Sequence, residues 1–392
     1  MECNCGIATN AYQQQKAVGM KPKCNLNARR TGSISRKHLI ALRDYWTPKK
    51  LANLAQCFFE EKTLALETRA MPFTATIDVT NACNLQCPGC PTGLGLVGRK
   101  KSMLKSDDLQ KVLDQTADYL LVAHLYNWGE TLLHPHVGEI VRMVHERRIF
   151  TSISSHLSLN DPDRVEEICE SGLDHLIVSV DGATQKTYQQ YRRGGNLELV
   201  LQNIRRIVEY KTKRKQKKPI IEWQTLGLRH LESELDQALE LATELRVDWF
   251  TVKGPIAPAR LQPSEKELKG AFYGGQERCG LLYHNVTLQS DGGIAPCCFL
   301  YHKKDDFGHL ADGPLHQLRN NTLYRTARKL FHREPIERGE VDISHPCLRC
   351  PVVHKQEHLR EMLVSMPEVI CQEGFMSIVS DRDELDTIQK MF

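Results

Sequence analysis

The stretch DVTNACNLQCPGCPTG, Asp78 to Gly93, carries Cys83, Cys87 and Cys90 in a Cys-x3-Cys-x2-Cys spacing with no fourth cysteine beside them. Thiolates are soft metal ligands, and a closed structural zinc site asks for four ligands in a tetrahedron. Three thiolates in one loop suit instead a cubane iron–sulfur cluster whose fourth iron stays open to another molecule. A second group, Cys279, Cys297, Cys298, Cys347 and Cys350, lies far downstream, with Cys371 beyond it. Fourteen cysteines in a chain of 392 residues read as metal chemistry rather than a disulfide framework, because reducing cytosol keeps thiols free.

Such thiols need regular elements to hold them. From Phe73 to about Pro255 the sequence alternates strand with helix, the strands being TATIDVT, LVAHLYN, FTSISSH, HLIVSVD, PIIEWQTLG and DWFTVKG. Six βα-type units predict an α/β fold with a parallel sheet, its active end at the strands' C-termini. The three cysteines follow the first strand, so they fall at that end. We expect residues 1–72 to be a frayed tail and a helical lead-in broken near Pro48, residues 73–268 the main domain, 269–375 a cysteine-dominated domain, and 376–392 a tail. Lys and Arg number 52 against 48 acidic residues, a formal charge of +4, which argues for no polyanionic partner such as nucleic acid. No apolar run approaches the roughly 20 residues that span a bilayer, and the start lacks a secretory signal. The expected location is cytoplasmic.

The residues CNLQCPGC after one strand and YNWGET after the next resemble the radical S-adenosylmethionine superfamily, over roughly residues 73 to 360. That resemblance implies a partial six-stranded (β/α)6 barrel and a [4Fe-4S] cluster on Cys83, Cys87 and Cys90. The open iron would be chelated by the amino and carboxylate groups of S-adenosylmethionine, whose reductive cleavage yields a hydrogen-abstracting 5′-deoxyadenosyl radical. Trp128, Gly129 and Glu130 stand where the family receives the methionine amino group, with Thr131 replacing a frequent proline. SVDGATQKTYQQYRRGG matches the pattern after the fourth strand, which makes Ser179 and Arg192 candidates for the methionine carboxylate. Two departures are Gly89, where an aromatic or bulky residue is usual, and His156, which stands where Asn would contact the cofactor.

RCGLLYHNVTLQSDGGIAPCC and PCLRC resemble the SPASM/Twitch extension. The implied auxiliary [4Fe-4S] cluster would sit on Cys279, Cys297, Cys347 and Cys350, in the single-cluster Twitch form, since PVVHKQEH follows where a full SPASM pattern has further cysteines. Zinc on the same four residues is the alternative. Cys298 is left over: a catalytic hydrogen donor, a substitute ligand for Cys297, or a buried small residue. The implied partners are a small-molecule substrate and an electron donor of the flavodoxin or ferredoxin type. The expected reaction is two-electron oxidation of a sugar-like or aminocyclitol-like substrate, with epimerisation or maturation of a ribosomally made peptide as alternatives. A non-catalytic iron–sulfur electron carrier would need neither the Gly-Glu pair nor Ser179 and Arg192. KTKRKQKK, from Lys211 to Lys218, reads as a solvated helix end. His134 and His136 read as a helix start, His354 and His358 as a helix face, and Cys57 and Cys169 as buried hydrophobes.

Overall fold

Successive side chains of a strand point to opposite faces, and in this protein the two faces of the central sheet differ in kind. The computed structural model describes residues 34–254 and 278–332, the backbone of 23–26, and within 341–359 residues 341, 342, 344–350, 352, 353, 356 and 359. One ten-stranded sheet runs through it. Its strands are β1 (Lys23–Leu26), β2 (Thr74–Ile77), β3 (Val122–His124), β4 (Phe150–Ser155), β5 (His175–Ser179), β6 (Ile220–Leu226), β7 (Trp249–Lys253), β8 (Asn285–Leu288), β9 (Gly293–Ala295) and β10 (Gly308–His309). The order is β1-β7-β6-β5-β4-β3-β2-β8-β9-β10, so the sheet has two ends and stays open. Strands β2 to β7 are the six expected from the sequence, all parallel.

Helices α1 (Arg36–Tyr45), α2 (Pro48–Lys62), α3 (Ser106–Thr116), α4 (Val137–His145), α5 (Pro162–Glu170), α6 (Gln185–Tyr191), α7 (Leu197–Arg214) and α8 (Leu235–Glu244) precede or separate these strands. Their starts are chemically marked. Thr47 and Asp161 accept the Lys50 and Arg164 amides at 3.1 and 3.0 Å, each ahead of a proline in the first turn. The break expected near Pro48 is therefore the start of α2. Beneath the helices, Ala75, Ile77, Ala123, Ile153, Leu176, Val178, Ile221, Trp223, Phe250 and Val252 form one face of the sheet and its main core. The alternate residues include Thr76, His124, Ser152, Ser154, His175, Ser179, Glu222, Gln224 and Thr251. They line a polar interior, where Ser152 Oγ bonds His175 Nδ1 at 2.9 Å and Glu222 lies 3.0 Å from His175 Nε2.

Two expectations change. Residues 23–26 do not fray: they pair in parallel with β7, whose edge would otherwise present unpaired backbone groups. The Lys211–Lys218 run is solvated only in part, because Lys211 bonds Asp248 at 2.7 Å and Lys218 bonds Asp174 at 2.5 Å. The boundary expected at 268/269, the tail 376–392, Cys371, His354 and His358 lie outside the described residues.

Asp174, just before β5, is fully buried and ties three layers together, accepting from the Thr151 amide at 2.8 Å, the Tyr45 hydroxyl at 2.7 Å and Lys218. Burial alone would push its pKa up, yet the neighbouring His145 and the hydrogen-bonded Lys218 hold it below the usual carboxylate value. A depressed carboxylate contributes stability that is present above its unfolded pKa and lost as pH falls through the folded one. Asp174→Asn is therefore expected to cost about 3–5 kcal/mol in neutral urea titrations, with the gap to wild type closing in acid. Asp44→Asn, at the half-exposed second partner of Lys218, should cost about 1 kcal/mol or less.

Candidate active site

The cysteine loop leaves β2 and is folded back on itself by short polar bonds. Thr80 Oγ donates to the Ser102 carbonyl at 2.9 Å, Asn81 Nδ2 to the Lys100 carbonyl at 2.9 Å, and the Ser102 amide to Asn81 Oδ1 at 2.8 Å. Farther along, Arg99 donates to Asp291 at 2.8 Å and to the Tyr301 carbonyl at 2.7 Å, and also pairs with Asp306. Cys83, Cys87 and Cys90 pack with Leu85, Tyr191, Leu228 and Leu231. Burial pushes the Cys83 thiol up to about 12, Cys87 to about 11, and Cys90 upward as well. Thiols in such a place stay protonated until a metal's charge displaces the proton. Among the described residues no cysteine is in a disulfide. Nor do three His, Cys, Asp or Glu side chains among them converge where a single ion would sit. Three soft thiols in one buried loop are the donor set that a cubane cluster takes.

The segment after β3 comes down directly on this loop. A Cβ at Gly129 would lie 1.7 Å from the Thr80 carbonyl oxygen, so glycine alone permits the approach. The next amide, Glu130 N–H, donates to the Ala82 carbonyl at 2.8 Å. The Glu130 carboxylate is buried and accepts from the amides of Leu132 at 3.1 Å and His156 at 3.0 Å. His156 itself is turned inward. Its Nδ1 accepts from the Ser158 amide at 2.9 Å, which leaves the proton on Nε2, 2.9 Å from Asn84 Oδ1 and 3.2 Å from Glu130. Burial pushes its pKa down, against the pull of Glu130; the ring is held by Asn84 and the Ser158 amide, and the His156 amide fixes Glu130. Trp128 points the other way: its indole N–H donates to the Cys298 carbonyl at 2.7 Å, and its ring meets Phe299 and Tyr301 edge-on.

Arg192, at the end of α6, pairs through Nε with buried Asp181 at 2.6 Å and points Nη1 at Cys87 Sγ, 3.9 Å away. Asp181 also accepts from the Leu226 amide at 2.7 Å, so the guanidinium is set from both β5 and β6. Ser179 faces the interior, 3.5 Å from Ser154 Oγ. Sequence reasoning missed Asp181, Asn84 and Arg99. The alternation in Ser152-Ile153-Ser154-Ser155-His156 was the one signal that a polar interior lay opposite the core.

The downstream cysteines gather around α9 (Leu281–His284), β8 and β9. Cys279, Cys297, Cys347 and Cys350 influence one another's ionisation, and burial pushes Cys279 up to about 12 and Cys297 and Cys347 well above the usual thiol range. Such a four-thiol set suits a fully ligated cubane. Strand β8 pairs in parallel with β2, and the Asp78 amide donates to the Leu288 carbonyl at 2.8 Å. The second domain is thus stitched to the strand that delivers the first three cysteines, and Cys297 and Cys298 lie beside Trp128.

Family comparison agrees with this geometry. The radical SAM superfamily matches residues 77–249 and the iron-sulfur cluster-binding SPASM domain residues 279–351. The chain belongs to the radical S-adenosylmethionine superfamily, in its SPASM branch. Its cofactors are accordingly a [4Fe-4S] cluster, S-adenosylmethionine and an auxiliary [4Fe-4S] cluster. A PqqA peptide cyclase from Bradyrhizobium diazoefficiens is 25% identical over 126 residues, 32% of this chain and 33% of that protein. The AdoMet-dependent heme synthase of Methanosarcina barkeri is 29% identical over 169 residues, 43% of this chain and 46% of that protein. The chain therefore spans about a third to under half the length of these relatives. In fold it is similar to Streptococcus suis SuiB bound to S-adenosylmethionine, with a TM-score of 0.57 and 14% identity over 77% of this chain and 76% of that one.

Anaerobic reconstitution should load roughly eight irons per chain, and the Cys83/Cys87/Cys90→Ala variant roughly four. Gly129→Ala should reproduce the loss of about four irons without touching a ligand. Wild-type loading in Gly129→Ala would show that the contact with Thr80 does not shape the cluster loop.

Proposed function

We propose that this protein is a peptide-modifying radical S-adenosylmethionine enzyme that removes two electrons from a side chain or backbone carbon of its substrate. The observation that carries the peptide reading is the similarity of about a third of the chain to PqqA peptide cyclases, 25% identical over 126 residues in one case and 31% over 115 residues in another from Ruegeria pomeroyi. It takes precedence over the sugar-like or aminocyclitol-like substrate expected from the sequence. Bound S-adenosylmethionine supplies a hydrogen-abstracting radical, and the chain's residues decide where it forms. Cys83, Cys87 and Cys90 would hold the first cluster, and Glu130, fixed by the Leu132 and His156 amides, would receive the methionine amino group. Arg192 would offer its Nη atoms to the carboxylate while Asp181 fixes its orientation. Ser179 would add a hydroxyl from β5. Cys279, Cys297, Cys347 and Cys350 would hold the auxiliary cluster as the electron acceptor.

Trp128 joins the two sites. Its indole bonds the Cys298 carbonyl, and in the oxidising reading Cys297 would be a cluster ligand with Cys298 as its neighbour. In the epimerising alternative Cys298 would donate hydrogen. We place the enzyme in the cytoplasm, supplied by a flavodoxin or ferredoxin, and among the described residues no helix is long and apolar enough to cross a membrane.

Reconstituted enzyme with S-adenosylmethionine and reductant should release 5′-deoxyadenosine faster when a panel of synthetic peptides is added, with one peptide losing about 2 Da per turnover. Stimulation by aminocyclitols or amino sugars and by no peptide would contradict the reading. Cys298→Ala should keep the oxidised product; deuterium entering a substrate carbon from deuterated buffer, and lost in this variant, would mean epimerisation.

A further inference from the structure

Two buried hydroxyls near the auxiliary cysteines have no hydrogen-bond partner among the described residues: those of Tyr283, in α9, and Tyr324, in α10 (Thr322–Lys329). Both side chains are essentially inaccessible, at 2% and 0% exposure. Orphan buried donors cost free energy unless something outside the polypeptide accepts from them. The tyrosines belong to the same small core as Cys279, Cys347 and Cys350. After burial and Arg328, Cys279 acts on the ionisation of Tyr283; Tyr324 feels Cys347 and Cys297 together with Arg319 and Arg328.

Behind the rings lies positive charge. The Arg328 guanidinium stands 5.7 Å from the Tyr283 ring centroid and 5.4 Å from that of Tyr324. Its donors reach carbonyls, Leu66 and Arg319 both at 2.8 Å, rather than a carboxylate, and among the described residues neither Arg328 nor Arg319 makes an ion pair. Arg319 likewise donates to the carbonyls of Ala70 at 2.8 Å and Tyr283 at 2.9 Å. Glu60, a buried carboxylate bonded to the Arg69 and Ala70 amides, acts on both without pairing directly with either, and two buried cations beside one carboxylate remain expensive. An anionic cluster ligated by four thiolates is the kind of group that would offset them.

We propose that Tyr283 and Tyr324 donate hydrogen bonds to sulfur of the auxiliary cluster, and that with Arg328 behind their rings they raise its reduction potential. Hydrogen bonds to sulfur and nearby positive charge both favour the reduced, more negative cluster. This deepens the oxidative reading, for which the acceptor must be reducible, and rests on the four-cysteine assignment. Both tyrosines act on the cluster, so they are positioning residues and not catalytic ones.

The test uses the Cys83/Cys87/Cys90→Ala chain, in which the auxiliary cluster is alone. Redox titration followed by electron paramagnetic resonance should give a lower midpoint for Tyr283→Phe and for Tyr324→Phe, and a lower one still for the double variant, each retaining roughly four irons. Resonance Raman bands of the Fe–S stretches should shift in deuterated buffer for the parent and shift less in the double Phe variant, in which only amide donors such as Phe299 N–H remain. An unchanged midpoint with full iron would overturn the proposal. So would loss of iron in the Phe variants, which would make the hydroxyls structural supports. A parent without iron would instead sink the auxiliary-cluster assignment itself.

Discussion

The carbonyl oxygen of Thr80 occupies the place where any side chain at position 129 would begin. That one contact brings the loop after β3 onto the loop after β2, and the site follows from it. With Gly129 seated, the Glu130 amide reaches the Ala82 carbonyl and the carboxylate turns toward the cysteine loop. Trp128, on the other side of the same glycine, is directed outward to the Cys298 carbonyl. Three consecutive residues thus link the cluster loop, the carboxylate proposed to anchor the cofactor and the auxiliary domain. Asp78 reinforces the joint from below. It is buried, its amide is bonded to β8 and its carboxylate accepts from Ser290 at 3.2 Å, while burial pushes its pKa up to about 6.

Electrostatics then assign different tasks to similar groups. The cysteines are buried where a bare thiolate is disfavoured, so only a metal can hold them ionised. Arg192 is the cation nearest Cys87 and is balanced by Asp181, which fixes its direction without removing its Nη donors. At the auxiliary site Arg319 and Arg328 bond only to neutral acceptors among the described residues. One site therefore brings an acid, Glu130, and a cation, Arg192, to the cysteine loop, while the other holds two buried cations beside the single carboxylate Glu60.

Much of this was legible in the sequence because it is local. The six barrel strands, the cysteine spacing and the Trp128-Gly129-Glu130 strand end are read within a few residues of one another. What escaped depends on partners far apart in the chain. Arg99 meets Asp291 and Asp306 across the domain boundary, and Lys37 of α1 reaches Ser152 at 3.3 Å. Residues 23–26 show no periodicity, and an open sheet edge recruits them. His156 was legible as a departure from the family pattern, but its role, fixing Glu130 through its amide, required knowing that β4 ends beside that carboxylate. The substrate class we propose differs from the sugar-like one expected from the sequence because substrate identity is not encoded in the cluster motifs that the sequence shows best.

The central claim is that S-adenosylmethionine completes the three-thiol site through its amino group, received beside Glu130. Electron–nuclear double resonance on the reduced cluster, with the methionine amino nitrogen labelled as 15N, addresses it directly. A strong nitrogen coupling in wild type, greatly weakened in Glu130→Ala with iron content unchanged, is the expected result. Absence of any 15N coupling in the wild-type complex would contradict the account.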